Sequence, residues 1–154
     1  MPFIVEKDGG GFIPQVLSAI LDECVNGVTL ADPDLEDTPI VYANKAFENL
    51  SGYPQEEIVG INCRFLQGDD RDQEARKIIS DAMEKNEAVE VTLRNYRKDG
   101  TLFHNRLKIT PLFDKKHRVI YYLGVQYDIT EHVVANNEIK ELNSLIEALS
   151  NNYR

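Results

Sequence analysis

The sequence has no tryptophan, only two cysteines and no long apolar run, and the last two of these shortages each exclude a class of protein. Its longest uninterrupted apolar stretch, residues 119–123, is far below the roughly 18 residues that a membrane-spanning helix needs. Cys24 and Cys63 form neither a disulfide framework nor a CxxC zinc motif. The amino terminus lacks the basic stretch and apolar block of a secretory signal. We therefore expect a cytoplasmic protein with no membrane segment and no metal site.

Basic charge is also scarce. The 154 residues include 17 Lys and Arg against 26 Asp and Glu, which gives a formal net charge of -9. This balance opposes attraction to nucleic acid or to an anionic lipid surface. The length fits one compact domain with a flanking helix or two, and a hydrophobic content of 42% is too high for a disordered chain. We expect a globular domain without a direct nucleic-acid partner.

Helical periodicity marks both ends of the chain. Near the amino terminus, apolar residues at spacings of three and four predict an amphipathic helix within residues 1–24. In residues 131–154 the apolar spacings alternate between four and three, as in the a/d seam of a coiled coil, and two such seams can pair. The residues of this seam are Ala135, Ile139, Leu142, Ile146 and Leu149.

Between the two ends the apolar period changes to two, which predicts strands. Residues 27–31 and 39–43 read as a hairpin around an Asp-Pro-Asp turn, and three longer strands follow the helical segment 71–85. The last strand is apolar on both faces, so its outer face needs a cover, for which the terminal helices are candidates. Its inward residues are Ile120, Tyr122, Gly124 and Gln126.

Three side-chain amides fall on the inward faces of successive strands. Asn95, Asn105 and Gln126 lie there among apolar residues and glycine. An unpaired buried amide costs roughly 1–3 kcal/mol, so these groups need either one another or a planar ligand that offers donors and acceptors. The pattern alone leaves both interpretations open.

Cys63 and three arginines form a second group of interest. A lone cysteine is usually a small buried hydrophobe, but the adjacent Arg64 favours a thiolate or a bound anion. Arg64, Arg71 and Arg76 lie within thirteen positions and can gather around one phosphate. The spacing fits an ordinary solvated helix face equally well.

The stretch Gly60–Asp70, GINCRFLQGDD, resembles the signature of LOV domains, the flavin-binding blue-light sensors of the PAS family. Segments 95–100, 103–105, 124–126 and 128–130 resemble later landmarks of that family in the correct order. The resemblance covers residues 25–130. It implies an α+β PAS/LOV fold, in which short helices close one face of a five-stranded antiparallel sheet over flavin mononucleotide (FMN).

The resemblance also implies roles for individual residues. Cys63 matches the photoactive cysteine whose sulfur bonds reversibly to the flavin ring in light. Gln126 matches the amide that rotates when the neighbouring ring nitrogen gains a proton. Many LOV domains have an arginine at the position of Ser80, so Arg71 and Arg76 would have to supply its phosphate contacts. The implied flavin-binding residues are Thr29, Ala31, Asn62, Cys63, Arg64, Leu66, Gln67, Arg71, Arg76, Ile79, Asn95, Asn105, Leu107, Tyr122, Gly124 and Gln126.

These observations favour a light-sensing module over an enzyme. A flavin-dependent redox enzyme would need a nicotinamide fingerprint or a spare acid/base pair, which the sequence does not supply. A PAS interaction domain without photochemistry is the other alternative, and Cys63 within the motif argues against it. A cysteine hydrolase is disfavoured because the three histidines have no orienting partner. We expect a homodimer through the terminal helices and the outer sheet face, which either stands alone or precedes an effector domain outside this chain.

Overall fold

The computed structural model describes residues 15–152, and it describes side chains from Ser18 onward. The predicted amphipathic helix is present as a short element, whereas Ile13 of its apolar face lies outside the described residues. The elements in chain order are α1 (Gln15–Asp22), β1 (Gly27–Ala31), β2 (Ile40–Ala43), α2 (Lys45–Ser51), α3 (Gln55–Ile58), a 3₁₀ helix (Cys63–Gln67), α4 (Glu74–Glu84), β3 (Val89–Tyr96), β4 (Leu102–Phe113), β5 (Val119–Asp128) and α5 (Thr130–Asn152).

The five strands form one antiparallel sheet in the order β2-β1-β5-β4-β3, which confirms the predicted α+β architecture. The register brings the predicted inward residues to one face except Ile120, which packs in the outer cluster with Tyr121 because the β4–β5 register shifts beside it. Gln126 on β5 lies opposite Gly27 on β1 and Leu107 on β4. On the next pair of strands, Asn105 lies opposite Leu93. Alternation of side chains along each strand therefore places the three amides on the same side of the sheet.

Short helices cover this inner face, and a buried asparagine holds the first of them in place. Asn44 is the N-cap of α2, as its position before an apolar periodic segment predicts, and its Oδ1 accepts from the backbone N–H of Phe47 at 3.0 Å. The same oxygen accepts from the N–H of Val28 on β1 at 2.8 Å. Its Nδ2 donates to the carbonyl of Leu21 on α1 at 2.8 Å. One side chain thus joins α1, β1 and α2.

Two separate apolar clusters lie between the sheet and the helices. One is centred on Ile40, Phe47 and Leu66 beneath α2, α3 and the 3₁₀ helix. The other is centred on Leu93 and Leu107 beneath α4. Because the clusters do not merge, room remains between them.

Of the two terminal helices that the sequence offers as covers for the outer face of the sheet, only α1 packs on it. Leu21 of α1 packs against an outer cluster that includes Leu30, Tyr42 and Tyr121. The helix α5 forms as predicted, but every residue from 134 to 152 is exposed, so its apolar seam covers no part of the sheet in the single chain. Leu142 and Ile146, for example, are 58% and 52% exposed. Exposure on this scale leaves the seam available to another surface.

Within residues 15–152, no helix combines the length and the apolar character that a membrane crossing requires.

Candidate functional site

A cavity of about 560 Å³ occupies the space between the two inner clusters. Its volume falls in the range of roughly 300–1,000 Å³ that is common for small-molecule sites. The sheet provides one wall, and the 3₁₀ helix and α4 provide the other. The predicted site residues that line it are Thr29, Ala31, Asn62, Cys63, Arg64, Leu66, Gln67, Arg76, Ile79, Asn95, Asn105, Leu107, Tyr122, Gly124 and Gln126.

The three strand amides are buried in the cavity wall and are only partly paired. Asn105 Nδ2 donates to Asn95 Oδ1 at 2.9 Å, and Asn95 Nδ2 donates to the carbonyl of Arg94 at 3.0 Å. Gln126 Nε2 donates to Thr29 Oγ1 at 3.2 Å. No described residue donates to Asn105 Oδ1, Gln126 Oε1 or Gln67 Oε1, although all three oxygens are buried. Asn95 and Asn105 therefore pair with each other as the first interpretation predicts, but this pairing leaves acceptors unused.

Gly124 makes room for this arrangement. It lies directly opposite Thr29 in the ladder between β1 and β5. A Cβ atom at position 124 would lie 2.6 Å from Thr29 Oγ1 and 3.1 Å from Gln126 Nε2. Because real Cβ atoms essentially never come as close as 2.6 Å to another atom, glycine is needed here for close packing rather than for its backbone angle.

Cys63 begins the 3₁₀ helix and faces the cavity. Asn62 caps that helix, since its Oδ1 accepts from the backbone N–H of Arg64 at 3.0 Å. Burial raises the pKa of the Cys63 thiol, and the opposing effect of Arg64 is smaller. Arg64 does favour the thiolate, as expected, but burial has the larger effect and favours the neutral thiol. The guanidinium of Arg64 is also engaged by the carboxylate of Asp37.

The sequence predicts three arginines at the mouth of the cavity, by which we mean the exposed part of its lining, but the structure places only two there. Arg64 and Arg76 line the cavity, but Arg71 does not. Arg71 is exposed, and its Nε donates to the carbonyl of Gly68 at 2.7 Å. The backbone carbonyl of Arg71 accepts from Arg76 Nη1 at 2.6 Å. Ser80, where the resemblance calls for an arginine in many family members, also lines the mouth.

Hydrogen bonds from polar side chains hold residues 68–73 against β3. Arg71 belongs to this segment, and its side chain does not line the cavity. Asp70 accepts two hydrogen bonds from Arg94, at 2.7 and 2.8 Å, and one from the hydroxyl of Tyr96 at 2.8 Å. These donors lower the pKa of the Asp70 carboxyl to about 2, the Arg94 hydrogen bonds having the largest effect. The buried side chain of Gln73 bonds both the N–H and the carbonyl of Arg94. This cluster also delays the start of α4, which begins at Glu74 rather than at Arg71.

Several lining residues were missed by the sequence reading. Leu93 and Ile109 lie on the inward faces of β3 and β4, so the alternation of side chains along these strands is sufficient to identify them. Asp37 and Thr38 lie in the loop between β1 and β2, where no periodic signal exists. The full set of additional lining residues is Asp37, Thr38, Ile40, Ser80, Met83, Glu84, Leu93 and Ile109.

The junction between β5 and α5 is fastened to the rest of the sheet. Asp128 ends β5, and its carboxylate accepts from the backbone N–H of Thr130 at 3.0 Å and from Arg97 at 2.8 Å. The Thr130 hydroxyl accepts from the backbone N–H of His104 on β4 at 2.9 Å. Gln126 is therefore four residues from a helix start that has fixed partners.

The cavity fits the flavin that the family resemblance implies. A flavin ring is planar, it has apolar faces, and it has a donor and acceptors along one edge. The cavity supplies apolar side chains such as Leu66 and Leu107 from opposite layers. Its wall contains the side-chain oxygens of Asn105 and Gln126, which accept no hydrogen bond from the described residues. Burying such an oxygen without a hydrogen-bond donor costs free energy. Among the described residues no group of His, Cys, Asp and Glu side chains is arranged to hold a metal ion.

Comparison with known proteins agrees with this fit. The model of the PAS domain family matches residues 25–131. A blue-light photoreceptor of Listeria monocytogenes is 44% identical over 124 residues, which are 80% of this chain and 49% of that protein. The chain spans half or less of the length of the curated relatives it matches.

Solved structures give the same result. An RNA-binding light-oxygen-voltage receptor is 36% identical with a TM-score of 0.78, and the match covers 96% of this chain and 42% of that one. A light-oxygen-voltage domain studied with a flavin analogue is 39% identical with a TM-score of 0.71, over 84% of this chain and 96% of the other. The chain therefore belongs to the PAS domain family, and within that family it is a light-oxygen-voltage domain.

Proposed function

We propose that the protein is a blue-light sensor module that binds FMN in the cavity and responds through Cys63 and Gln126. The observation that carries this proposal is the convergence of a neutral cysteine thiol and unused amide oxygens on one apolar cavity. A bound flavin would supply the absorption of blue light and a ring carbon with which the thiol sulfur can bond reversibly. The thiol, held in its protonated form by burial, would supply the proton.

Gln126 is suited to report this change because its amide has two usable orientations. In the structure Nε2 donates to the hydroxyl of Thr29 while Oε1 has no described donor. A hydroxyl both donates and accepts, so Thr29 can also pair with the amide after it turns by half a rotation. Either orientation keeps one hydrogen bond inside the protein and offers the other end of the amide to the ligand.

The output is proposed to reach a second copy through α5. Gln126 lies on β5, which continues through Asp128 into the fastened start of α5 at Thr130. The exposed seam of that helix is the surface predicted to pair in a homodimer. We therefore propose that residues 25–130 act as the sensor and residues 131–154 as the signalling helix, for an effector of unspecified type rather than for catalysis within this segment.

Absorbance spectra before and after a blue flash test the proposal. We expect a yellow protein whose flavin band bleaches in light and recovers in darkness. Cys63→Ala should keep the flavin and lose the bleaching, because the sulfur is absent while the lining is otherwise intact. Cys24→Ala is the matched control, since Cys24 is exposed just after the end of α1 and does not line the cavity, and it should bleach like the wild type. A protein that cannot be loaded with flavin would refute the proposed function.

A further inference from the structure

The mouth of the cavity carries opposite charges in equal number. Two arginines, Arg64 and Arg76, line it together with two carboxylates, Asp37 and Glu84. No other charged side chain among the described residues belongs to the lining, so its formal charge is zero. A mouth that only had to receive a phosphate dianion would be expected to carry excess positive charge.

Asp37 does more than balance this charge, because its carboxylate forms an ion pair with the guanidinium of Arg64. Its Oδ2 pairs with Arg64 Nη2. The hydrogen bond from Arg64 is the largest influence on the Asp37 carboxyl and lowers its pKa. At neutral pH the pair is therefore fully charged, and any anion that approaches Arg64 meets a competitor already in place.

The position of Asp37 is set by the backbone rather than by chance contact of two long side chains. Asn62 Nδ2 donates to the carbonyl of Asp37 at 2.7 Å, while Asn62 Oδ1 caps the helix that carries Arg64. Asp37 and Thr38 both adopt left-handed backbone angles, with φ of 66° and 46°. Such angles are uncommon for residues other than glycine and indicate a turn held by its surroundings. One asparagine thus holds Asp37 and Arg64 beside each other.

We infer that Asp37 is a specificity-determining residue that limits the preference of the cavity for a phosphorylated flavin over riboflavin. A phosphate that contacts Arg64 must displace the Asp37 carboxylate and then remain close to its negative charge. Riboflavin has no phosphate and incurs neither cost. The inference rests on the proposed function, because it assumes that the ligand is a flavin with its phosphate end at this mouth.

The test compares the dissociation constants of FMN and riboflavin for the flavin-stripped full chain, measured in darkness by quenching of flavin fluorescence. Asp37→Asn removes the charge and keeps the shape, and asparagine tolerates left-handed backbone angles well. We expect the ratio of the riboflavin to the FMN dissociation constant to rise by about threefold to tenfold, the scale of losing one exposed charge contact. Asp37→Gly, which also accepts positive φ, serves as a second variant.

Two further measurements separate the ion pair from general electrostatics. Glu36→Gln removes the same charge from the neighbouring exposed residue, which does not line the cavity, and should change the ratio less than Asp37→Asn does. In an Arg64→Ala background, Asp37→Asn should lose most of its effect, because no guanidinium remains to be released.

The possible outcomes are distinct. An unchanged or lower ratio in Asp37→Asn and in Asp37→Gly would overturn the inference while leaving flavin binding established. An equal rise in Glu36→Gln, or a rise that persists without Arg64, would overturn it as well, because Asp37 would then not act by occupying Arg64. If neither flavin binds the wild-type protein, the proposed function fails, and the inference fails with it.

Discussion

The chemistry of Cys63 is set mainly by burial. Its neighbour Arg64 promotes ionisation of the thiol, and the Asp37 carboxylate, which engages Arg64 from 27 positions away, opposes ionisation with a smaller effect. Burial has the largest effect and raises the pKa of the thiol. A protonated thiol is the form that can deliver both sulfur and proton to a ligand, so this environment suits reversible bonding better than a thiolate would.

At Gly124 the addition of a single methyl group should lower the free energy of unfolding. In Gly124→Ala the new methyl would collide with Thr29 Oγ1 and crowd Gln126 Nε2. Overpacking of this kind typically costs about 1–3 kcal/mol, which urea unfolding of the flavin-free protein would measure. The second substitution Thr29→Ala removes the atom that is hit, so Gly124→Ala/Thr29→Ala should be more stable than additivity predicts. Strict additivity would contradict the close contact.

At the scale of elements, the loop of residues 68–73 connects the 3₁₀ helix of Cys63 to α4, and Asp70 anchors it to β3. Three hydrogen bonds from Arg94 and Tyr96 hold the Asp70 carboxylate. Gln73 adds two hydrogen bonds to the backbone of Arg94, so the loop is joined to β3 at two positions. The anchor therefore helps to define the wall of the cavity facing the amides.

The Asp70 anchor predicts a specific acid sensitivity. Its pKa of about 2 lies below the ordinary value of 3.8, so the folded state prefers the charged form. The stabilisation is fully present above about pH 4 and is lost as the pH falls through about 2, below which the carboxyl is protonated in both states. Asp70→Asn should be less stable than the wild type at pH 6, and this difference should shrink by pH 3.

Urea midpoints at pH 6, 4 and 3 check this expectation. Asp69→Asn is the control, because it removes the same charge from the adjacent exposed residue, and the structure shows no side-chain hydrogen bond for Asp69 within the described part of the chain. It should follow the wild-type pH dependence. A difference between Asp70→Asn and the wild type that stays constant from pH 6 to pH 3 would show that the carboxylate is not the anchor.

At the scale of the whole molecule, the helix α5 carries apolar side chains that no other described part of the chain covers. It has 23 residues and no buried residue, and its apolar positions lie along one seam. A helix of this length extends about 35 Å, so pairing over much of it would cover a long apolar surface. Nothing within the described residues of one chain covers this seam, and in the proposed homodimer the same seam of a second copy would cover it.

Leu142→Glu tests the proposed pairing. A carboxylate at the centre of the seam would have to be buried against apolar side chains, so we expect the wild type to be dimeric and this variant to be monomeric by sedimentation equilibrium. Ser144→Glu places the same side chain two residues further along, off the seam, and should remain dimeric. If the wild type and both variants have the same mass in darkness and after illumination, α5 does not mediate association.

The sequence by itself determined which residues alternate, which helices are amphipathic and which motif surrounds Cys63. Alternation along β3, β4 and β5 was enough to place Asn95, Asn105 and Gln126 on one face, because the period of a strand leaves only two faces to choose from. The cap at Asn44 was equally local, since it depends on a side chain and a backbone N–H three positions apart.

The tertiary structure alone decided which charges reach the cavity and which partners they find there. Arg71 was expected at the mouth, yet the anchor at Asp70 turns its segment outward. Asp37 was not expected, yet Asn62 holds it beside Arg64 from a loop without any periodic pattern. The physical reason is the separation in sequence of the interacting residues. Periodicity and capping act within one helical turn or one strand. Ion pairs and hydrogen bonds at the mouth of the cavity instead join segments separated by tens of residues, which only folding brings together.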